Sequence, residues 1–362
     1  MNIGFFCTII SINGNTRHLW EEMLKIRLIG IIAALFTGWS LSAAAQYEPP
    51  RTESGKPDLQ GYWSNASLTK MERDPEYAEY GLVFPDDLVP QLTRQHPQVV
   101  RQATDDNQVW KALPDGSDLA VGRGYNSFWV APGSSFALVK GEFRTSMVTY
   151  PEDGLIPYSE AGLKLRRENR ARYSGVLSDQ VTMGTDGPEA RALGERCLIG
   201  MGSTGGPPIT NVRYNNLYQI IQTDAYIVLH IEMAHDVRII PLTDEYHRAE
   251  ITPWFGDSIG HWDGDTLVVE TKGLHPLHGE RHYVAALSAQ ARIVERFTRV
   301  SDEQILYEFE VIDPVYYAEP WRGEMSFTAS AEPIYEYACH EGNYGLSGIL
   351  AGARKLEQNE NN

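Results

Sequence analysis

Alternating apolar and polar side chains dominate the second half of the chain. Leu217–Gln222 and Tyr226–Ile240 form two such runs, joined by the short connection Thr223-Asp224-Ala225, which reads as a hairpin. The turn Trp262-Asp263-Gly264-Asp265 leads into Thr266–Thr271. Ala291–Val300, Ile305–Ile312, Glu324–Thr328 and Ile334–Ala338 follow, each bounded by turn residues. No helical period interrupts them. That spacing predicts a mainly β, antiparallel fold, either a β-sandwich or a closed barrel, the latter removing exposed sheet edges.

The first half is less regular. Residues 46–58 read as an extended lead-in, and Leu59–Trp63 as a first strand with Trp63 as a core anchor. Residues 64–90 are polar and broken by Pro75, Pro85 and Pro90. Gln91–Leu113 has the pattern of a polar outer helix. Phe128–Val130 and Phe143–Tyr150 read as strands, Pro151-Glu152-Asp153-Gly154 as a turn, and Ser159–Tyr173 as a surface helix with Ser159 as N-cap. Residues 194–210 form a loop rich in Gly with Pro207 and Pro208; lacking Gly-Lys-Ser/Thr, it is no phosphate loop. The predicted organisation is an N-terminal helical and loop elaboration over 46–120, a β domain over 121–354 and a disordered tail over 355–362.

Residues 1–45 stand apart from this pattern. From Met23 they have the form of a secretory signal: Lys25 and Arg27, an apolar run Leu28–Leu41, then Ser42-Ala43-Ala44-Ala45, with cleavage expected before Gln46. The run is about 14 residues, short of the roughly 20 that span a bilayer. A periplasmic or secreted chain with no stable membrane span after cleavage is expected. Removing residues 1–45 takes three of the 31 basic and two of the 48 acidic side chains and leaves a formal charge of −18. Such a charge disfavours a nucleic-acid partner, which needs a basic stripe. Export also changes the reading of Cys197 and Cys339, the only cysteines then left. A disulfide between them is favoured over two free thiols or a two-cysteine metal site.

Parity sorts the candidate chemistry. If Tyr226–Ile240 is one strand, His235 is the single polar group in an inward apolar row from Ile227 to Ile239; a bulge near Ala234 would reverse its side. A histidine so placed is a satisfied core residue or a proton-transfer group. Glu232, Asp236 and Arg238 beside it offer charge partners able to move an imidazole toward a working pKa, or form an ordinary solvated face. The Tyr335–Tyr344 block, with His340, Glu341 and Asn343, is dense in polar groups and reads as a pocket lining anchored by Cys339, or as a solvated strand. Arg144, Tyr214, Asn215 and Glu295 are candidate ligand contacts. Glu295 and Arg296 must face opposite ways, so one of them looks inward. His275, His278 and His282 have spacings that suit zinc on a helix, which Pro276 and Gly279 oppose. His340-Glu341 lacks the second histidine of a zinc-protease helix. No metal site is expected. Without a nucleophile elbow, dinucleotide fingerprint, kinase set or haem attachment motif, no cofactor is expected either.

Several blocks together resemble a large family of exported bacterial proteins of uncharacterised function. They are Arg144-Thr145-Ser146, Glu195-Arg196-Cys197, Tyr214-Asn215-Asn216, His235 to Leu242, Trp262 to Val269, Glu295-Arg296-Phe297 and Tyr335 to Tyr344. The resemblance implies no particular reaction. More loosely, the Gly61-x-Trp63 opening before many antiparallel strands is similar to calycin-type barrels such as lipocalins, which implies a calycin-like barrel. The preferred expectation is cofactor-free acid–base chemistry (lyase, isomerase or hydrolase) on a small organic molecule. His235, Asp236, Arg238, His340 and Glu341 would be its working groups. A lipocalin-like binding protein and an envelope structural protein are the alternatives.

Overall fold

Ten strands share one antiparallel sheet whose two ends come together to leave a nearly closed barrel. The computed structural model describes residues 47–100, 133–173, 184–200, 204–246, 252–279, 284–341 and 343–360. The expected signal, the Phe128–Val130 strand and most of the Gln91–Leu113 helix lie outside these.

β1 (Gly61–Ser64) sits mid-sheet between β12 (Trp321–Ala329) and β5 (Leu217–Gln222). On one side the order runs β5, β6 (Tyr226–Ile231), β7 (Val237–Pro241). On the other it runs β12, β11 (Gln304–Ile312), β10 (Arg292–Ser301), β9 (Thr266–Lys272), β8 (Asp257–Asp263). β7 and β8 meet at a parallel bridge between Leu242 and Gly260. β4 (Val148–Tyr150) pairs with the first half of β12, next to where β1 pairs with its end. Consecutive strands from β8 to β12 are nearest neighbours; tight turns such as Asp263-Gly264-Asp265 join β8 to β9 and β10 to β11, while a longer connection runs from β9 to β10. A separate small hairpin is formed by β2 (Leu138–Val139) and β3 (Glu142–Phe143).

Strand alternation sends one row of each strand inward. On β10 to β12 the inward row includes Phe297, Tyr307, Phe309, Trp321 and Phe327, all almost completely buried. Their rings touch between neighbouring strands: Phe297–Tyr307 at 4.9 Å, Phe309–Trp321 at 5.6 Å and Tyr307–Phe327 at 5.7 Å between centroids. Tyr218 reaches Phe327 from β5 at 5.0 Å. The interior is therefore a packed aromatic core. Trp63 joins it, donating its ring N–H to the Leu59 carbonyl at 3.0 Å, with the Arg299 guanidinium 5.5 Å from its ring centroid.

The outer face of β11 and β12 is covered by the segment around β2 to β4. Arg144 donates to Glu324 at 2.7 Å with both side chains buried, and Lys140 bridges Glu324 and Glu308. α1 (Val89–Gln95) is interrupted within the predicted helix, helical backbone resuming over 97–100. Pro97 holds His96 extended and breaks the helix there. α2 (Glu160–Tyr173) begins as predicted, the Ser159 hydroxyl accepting the Gly162 N–H at 2.9 Å. Two expectations fail at the C-terminus. Ile334–Ala338 forms no strand among the described residues. α3 (Tyr344–Glu360) occupies the region read as domain end and tail, with Asn343 accepting the Leu346 N–H as its N-cap.

Gly323 faces Phe309 across the β11–β12 ladder, and a Cβ there would lie 2.3 Å from the ring. Gly323→Ala is expected to cost about 1–3 kcal/mol by overpacking, measured by urea unfolding. Adding Phe309→Leu should recover most of that loss; an unchanged midpoint for the single variant would refute the close fit.

Candidate functional site

A second break of pattern builds the site. The run Tyr226–Ile240 is two strands separated by a turn over 232–236, in which Ala234 (φ 56°) and His235 (φ 44°) both take left-handed backbone. The turn closes through the Ile231 N–H to the Asp236 carbonyl at 2.8 Å. It also shifts parity. Before it, Ile227, Leu229 and Ile231 face inward as expected. After it, Arg238 and Ile240 face inward while Val237 and Ile239 are exposed. His235 is consequently an exposed residue at the turn, outside the apolar row assigned to it.

Arg238 thus enters the barrel, where it forms a two-pronged pair with Glu295 on β10 (Nη1–Oε1 3.0 Å, Nη2–Oε2 2.5 Å), both side chains almost fully buried. Glu295 is the inward member of the Glu295-Arg296 pair, as alternation requires. Tyr307 donates to the same carboxylate at 2.8 Å; burial, and then that carboxylate, hold its phenol far above the usual range. The guanidinium's charge is already matched, so its expected part as a free anion stabiliser is not available.

The pair also organises a plug. Residues 204–210 are all buried, in the barrel end where β6 turns into β7. Tyr218 donates to the Thr204 carbonyl (2.9 Å) and Arg238 to the Gly205 carbonyl (3.3 Å), and the Ile209 N–H donates to the Tyr307 hydroxyl (2.9 Å). His278 Nε2 lies 3.1 Å from the Gly206 carbonyl. A carbonyl only accepts, so Nε2 carries the proton. Burial, aided by nearby Arg238 and His275, lowers the His278 pKa to about 4, so the imidazole is neutral.

Beside the plug lies a cleft of about 1030 Å³. Gly200, before the plug, and Thr210, its last residue, both line it. Its apolar wall includes Met71, Met147, Leu193, Ile199, Val212 and Met233. Lys70, Glu72, Arg73, Asp74, Tyr214 and His278 supply polar groups. Several are already engaged: Lys70 with Asp74 at 2.9 Å, Arg73 with the Thr145 hydroxyl at 3.0 Å, and Glu72 with the Ile156 N–H at 2.9 Å. One wall, around Ala192–Gly200, is held by the Cys197–Cys339 disulfide, which the structure contains.

Asp236 stands behind that wall. It is 8% exposed, and one carboxyl oxygen accepts the Gly200 N–H at 2.6 Å. Burial raises its pKa to about 7, against the opposing Gly200 hydrogen bond.

The other expected site residues scatter. Arg144 is taken by Glu324 and Glu142, on the outer face of the sheet. His340 and Glu341 are exposed, so the Tyr335–Tyr344 block is a surface segment. Within it, Asn343 donates to the Glu195 carbonyl at 2.7 Å. Glu232 closes the β5–β6 end, accepting from the Leu217 N–H, and burial raises its pKa. Asn215 takes a left-handed φ of 55° in the adjoining loop. Of the residues selected for a site, Tyr214 lines the cleft and Asp236 contacts the lining residue Gly200; the methionines and His278's place in the wall were not foreseen. Three methionines far apart in sequence were the available signal, Met being suited to adaptable pockets. Among the described residues no group of three or more His, Cys, Asp or Glu is placed to hold a metal ion, and His282 lies outside them. No known family, curated protein or solved structure matches this chain.

Glu295→Ala is expected to cost about 3–5 kcal/mol, because it strands a buried guanidinium. Arg238→Met with Glu295→Leu should recover much of this in urea unfolding, and a loss below about 1 kcal/mol for the single variant would refute the pairing's importance. His278 has its own pH window. Its folded pKa is below its unfolded one, so its contribution is complete above about pH 6.5 and lost as pH falls toward 4. His278→Gln should flatten the fall of Tm over that interval.

Proposed function

We propose that the chain binds a small, mainly apolar organic molecule in the cleft beside the plug. The observation that carries this reading is the cleft itself: about 1030 Å³, with methionine and aliphatic side chains in its walls beside polar ones such as Tyr214 and Asn211 and charged ones such as Lys70 and Arg73. This is the composition of a small-molecule site, at the upper end of the usual size. The ligand would not lie where a lipocalin holds one, because aromatic side chains fill the barrel interior. The disulfide is compatible with an exported protein, in keeping with the signal-like leader. No described helix is long and apolar enough to cross a membrane.

A second reading, acid–base catalysis on the bound molecule, is favoured by Asp236. A carboxyl with a pKa of about 7 exchanges a proton near neutrality, and one of its oxygens is held by Gly200, a residue of the cleft wall. His235, His340 and Glu341 are exposed and give no such support.

Screening uncharged aryl and terpenoid compounds by thermal shift tests the binding reading. A ligand at 100 times its Kd adds about 2.7 kcal/mol, or several degrees in Tm. Val212→Trp, which fills the cleft from a half-buried position, should abolish the shift while leaving the free protein's Tm nearly unchanged. A shift that survives the filled cleft would place binding elsewhere.

A further inference from the structure

Four arginine side chains are buried among the described residues, and three of them meet a glutamate. Arg144 pairs with Glu324 at 2.7 Å, Arg191 with Glu195 at 2.9 Å and Arg238 with Glu295 at 2.5 Å. Arg73, 8% exposed, is the fourth, and it lines the cleft. No described carboxylate lies within ion-pair distance of it. Its Nε donates to the Thr145 hydroxyl at 3.0 Å and its Nη1 to the Glu152 carbonyl at 3.1 Å, both uncharged. Nη2 has no described acceptor, and unlike Arg238 Nε it is not shut off from solvent.

The charge of Arg73 is therefore under-compensated. Burial lowers its pKa, against the opposing pull of Asp153; at Arg238 burial acts the same way and Glu295 reverses it. The guanidinium is also held in place. A Cβ on Gly154 would lie 3.0 Å from its Cζ, so the 151–154 turn packs directly against it. The other charged groups of the cleft wall are accounted for. Lys70 is paired with Asp74, Arg213 is exposed, and one oxygen of Glu72 accepts the Ile156 N–H. Lys70, Arg73 and Arg213 against Glu72 and Asp74 give the wall a formal charge of +1, in a chain of −17. A buried charge without a counter-ion is costly, and an anion arriving beside it recovers that cost.

Resting on the cleft reading above, we propose that the bound molecule carries one carboxylate, which accepts a hydrogen bond from Arg73 Nη2. Its apolar body lies against Met71, Met147 and Leu155, which line the same cleft. Arg73 rather than Arg213 takes the anion, because an ion pair gains more where water is excluded than on an exposed side chain. A single carboxylate suits one free nitrogen and a wall charge of +1; a phosphate dianion exceeds both and meets Glu72. An ammonium group meets the unmatched guanidinium. The uncharged compounds of the thermal-shift screen are then the weaker ligands of the cleft.

Fluorescence titration at pH 7 on the full chain tests this with 2-naphthoate, 2-naphthamide and 2-(aminomethyl)naphthalene, which share one ring system and differ in charge. Naphthoate should bind about tenfold more tightly than the amide, the lower end of what a hydrogen bond to a charged group supplies. The amine should bind more weakly than either. Arg73→Gln should reduce naphthoate's advantage to about twofold or less while amide binding stays constant. Arg213→Gln should leave that advantage within about twofold of its full value. Should Arg73→Gln not fold, the native chain decides through the carbon-13 shift of carboxyl-labelled naphthoate: beside the guanidinium its bound pKa lies below that of the free acid. Equal binding of naphthoate and amide, a preference for the amine, an advantage that survives Arg73→Gln or vanishes with Arg213→Gln, or a bound pKa that is not lowered overturns the carboxylate site and leaves the cleft reading standing. Failure of all three and of the neutral screen to bind overturns both.

Discussion

A salt bridge between two strands distant in sequence holds the working end of this molecule together. Arg238 and Glu295 are paired inside a barrel otherwise filled with aromatic rings. Burying two charges costs several kcal/mol each before any return, and the two-pronged geometry is the kind that offsets it. The pair also serves groups beyond itself: Glu295 orients the Tyr307 hydroxyl, which receives the Ile209 N–H, and Arg238 reaches the Gly205 carbonyl. The ends of the 204–210 plug are thus read by one charged cluster. Since Thr210 ends the plug and lines the cleft, that part of the cleft wall inherits its position from the cluster.

The turn over 232–236 makes this arrangement possible. A continuous strand would have put Arg238 outside and His235 within. Two left-handed residues reverse the alternation, leaving Val237 and Ile239 to solvent while Arg238 turns inward and Asp236 reaches Gly200. One local distortion therefore sets both the interior pair and the carboxyl beside the cleft. The disulfide acts from the opposite side. It joins the Ala192–Gly200 wall to the segment that starts α3, and Asn343 adds a hydrogen bond to the Glu195 carbonyl.

Much of the fold was written in local pattern. The antiparallel strands β5 and β9 to β12, the hairpin at 223–225, the turns at 151–154 and 262–265, the Ser159 cap and the cysteine pair follow from strand alternation, turn chemistry or the expected compartment, whereas β8 carried no strand reading and β6 and β7 read as one run. These properties depend on residues a few positions apart, or on a cysteine pair left alone once the expected leader with Cys7 is set aside. The misreadings have different causes. His235 was assigned to the wrong face because alternation carries no mark of an intervening αL pair when neither residue is glycine. The Tyr335–Tyr344 block looked like a pocket because polar density in sequence does not distinguish a lining from a solvated surface.

The site itself depended on tertiary structure. Arg144 is equally available, as a sequence, to a ligand or to Glu324; the packing of the N-terminal elaboration against the outer sheet face chose Glu324. Met71, Met147 and Met233 share a wall only because β4 lies beside β12 and the plug closes the barrel end next to them. The sequence by itself determined a β protein with one cysteine pair and a set of strands with known faces up to the first backbone irregularity. Tertiary structure decided which charges met and where space remained. Charge pairing and empty volume are properties of surfaces brought together from distant parts of the chain, and no local period records them.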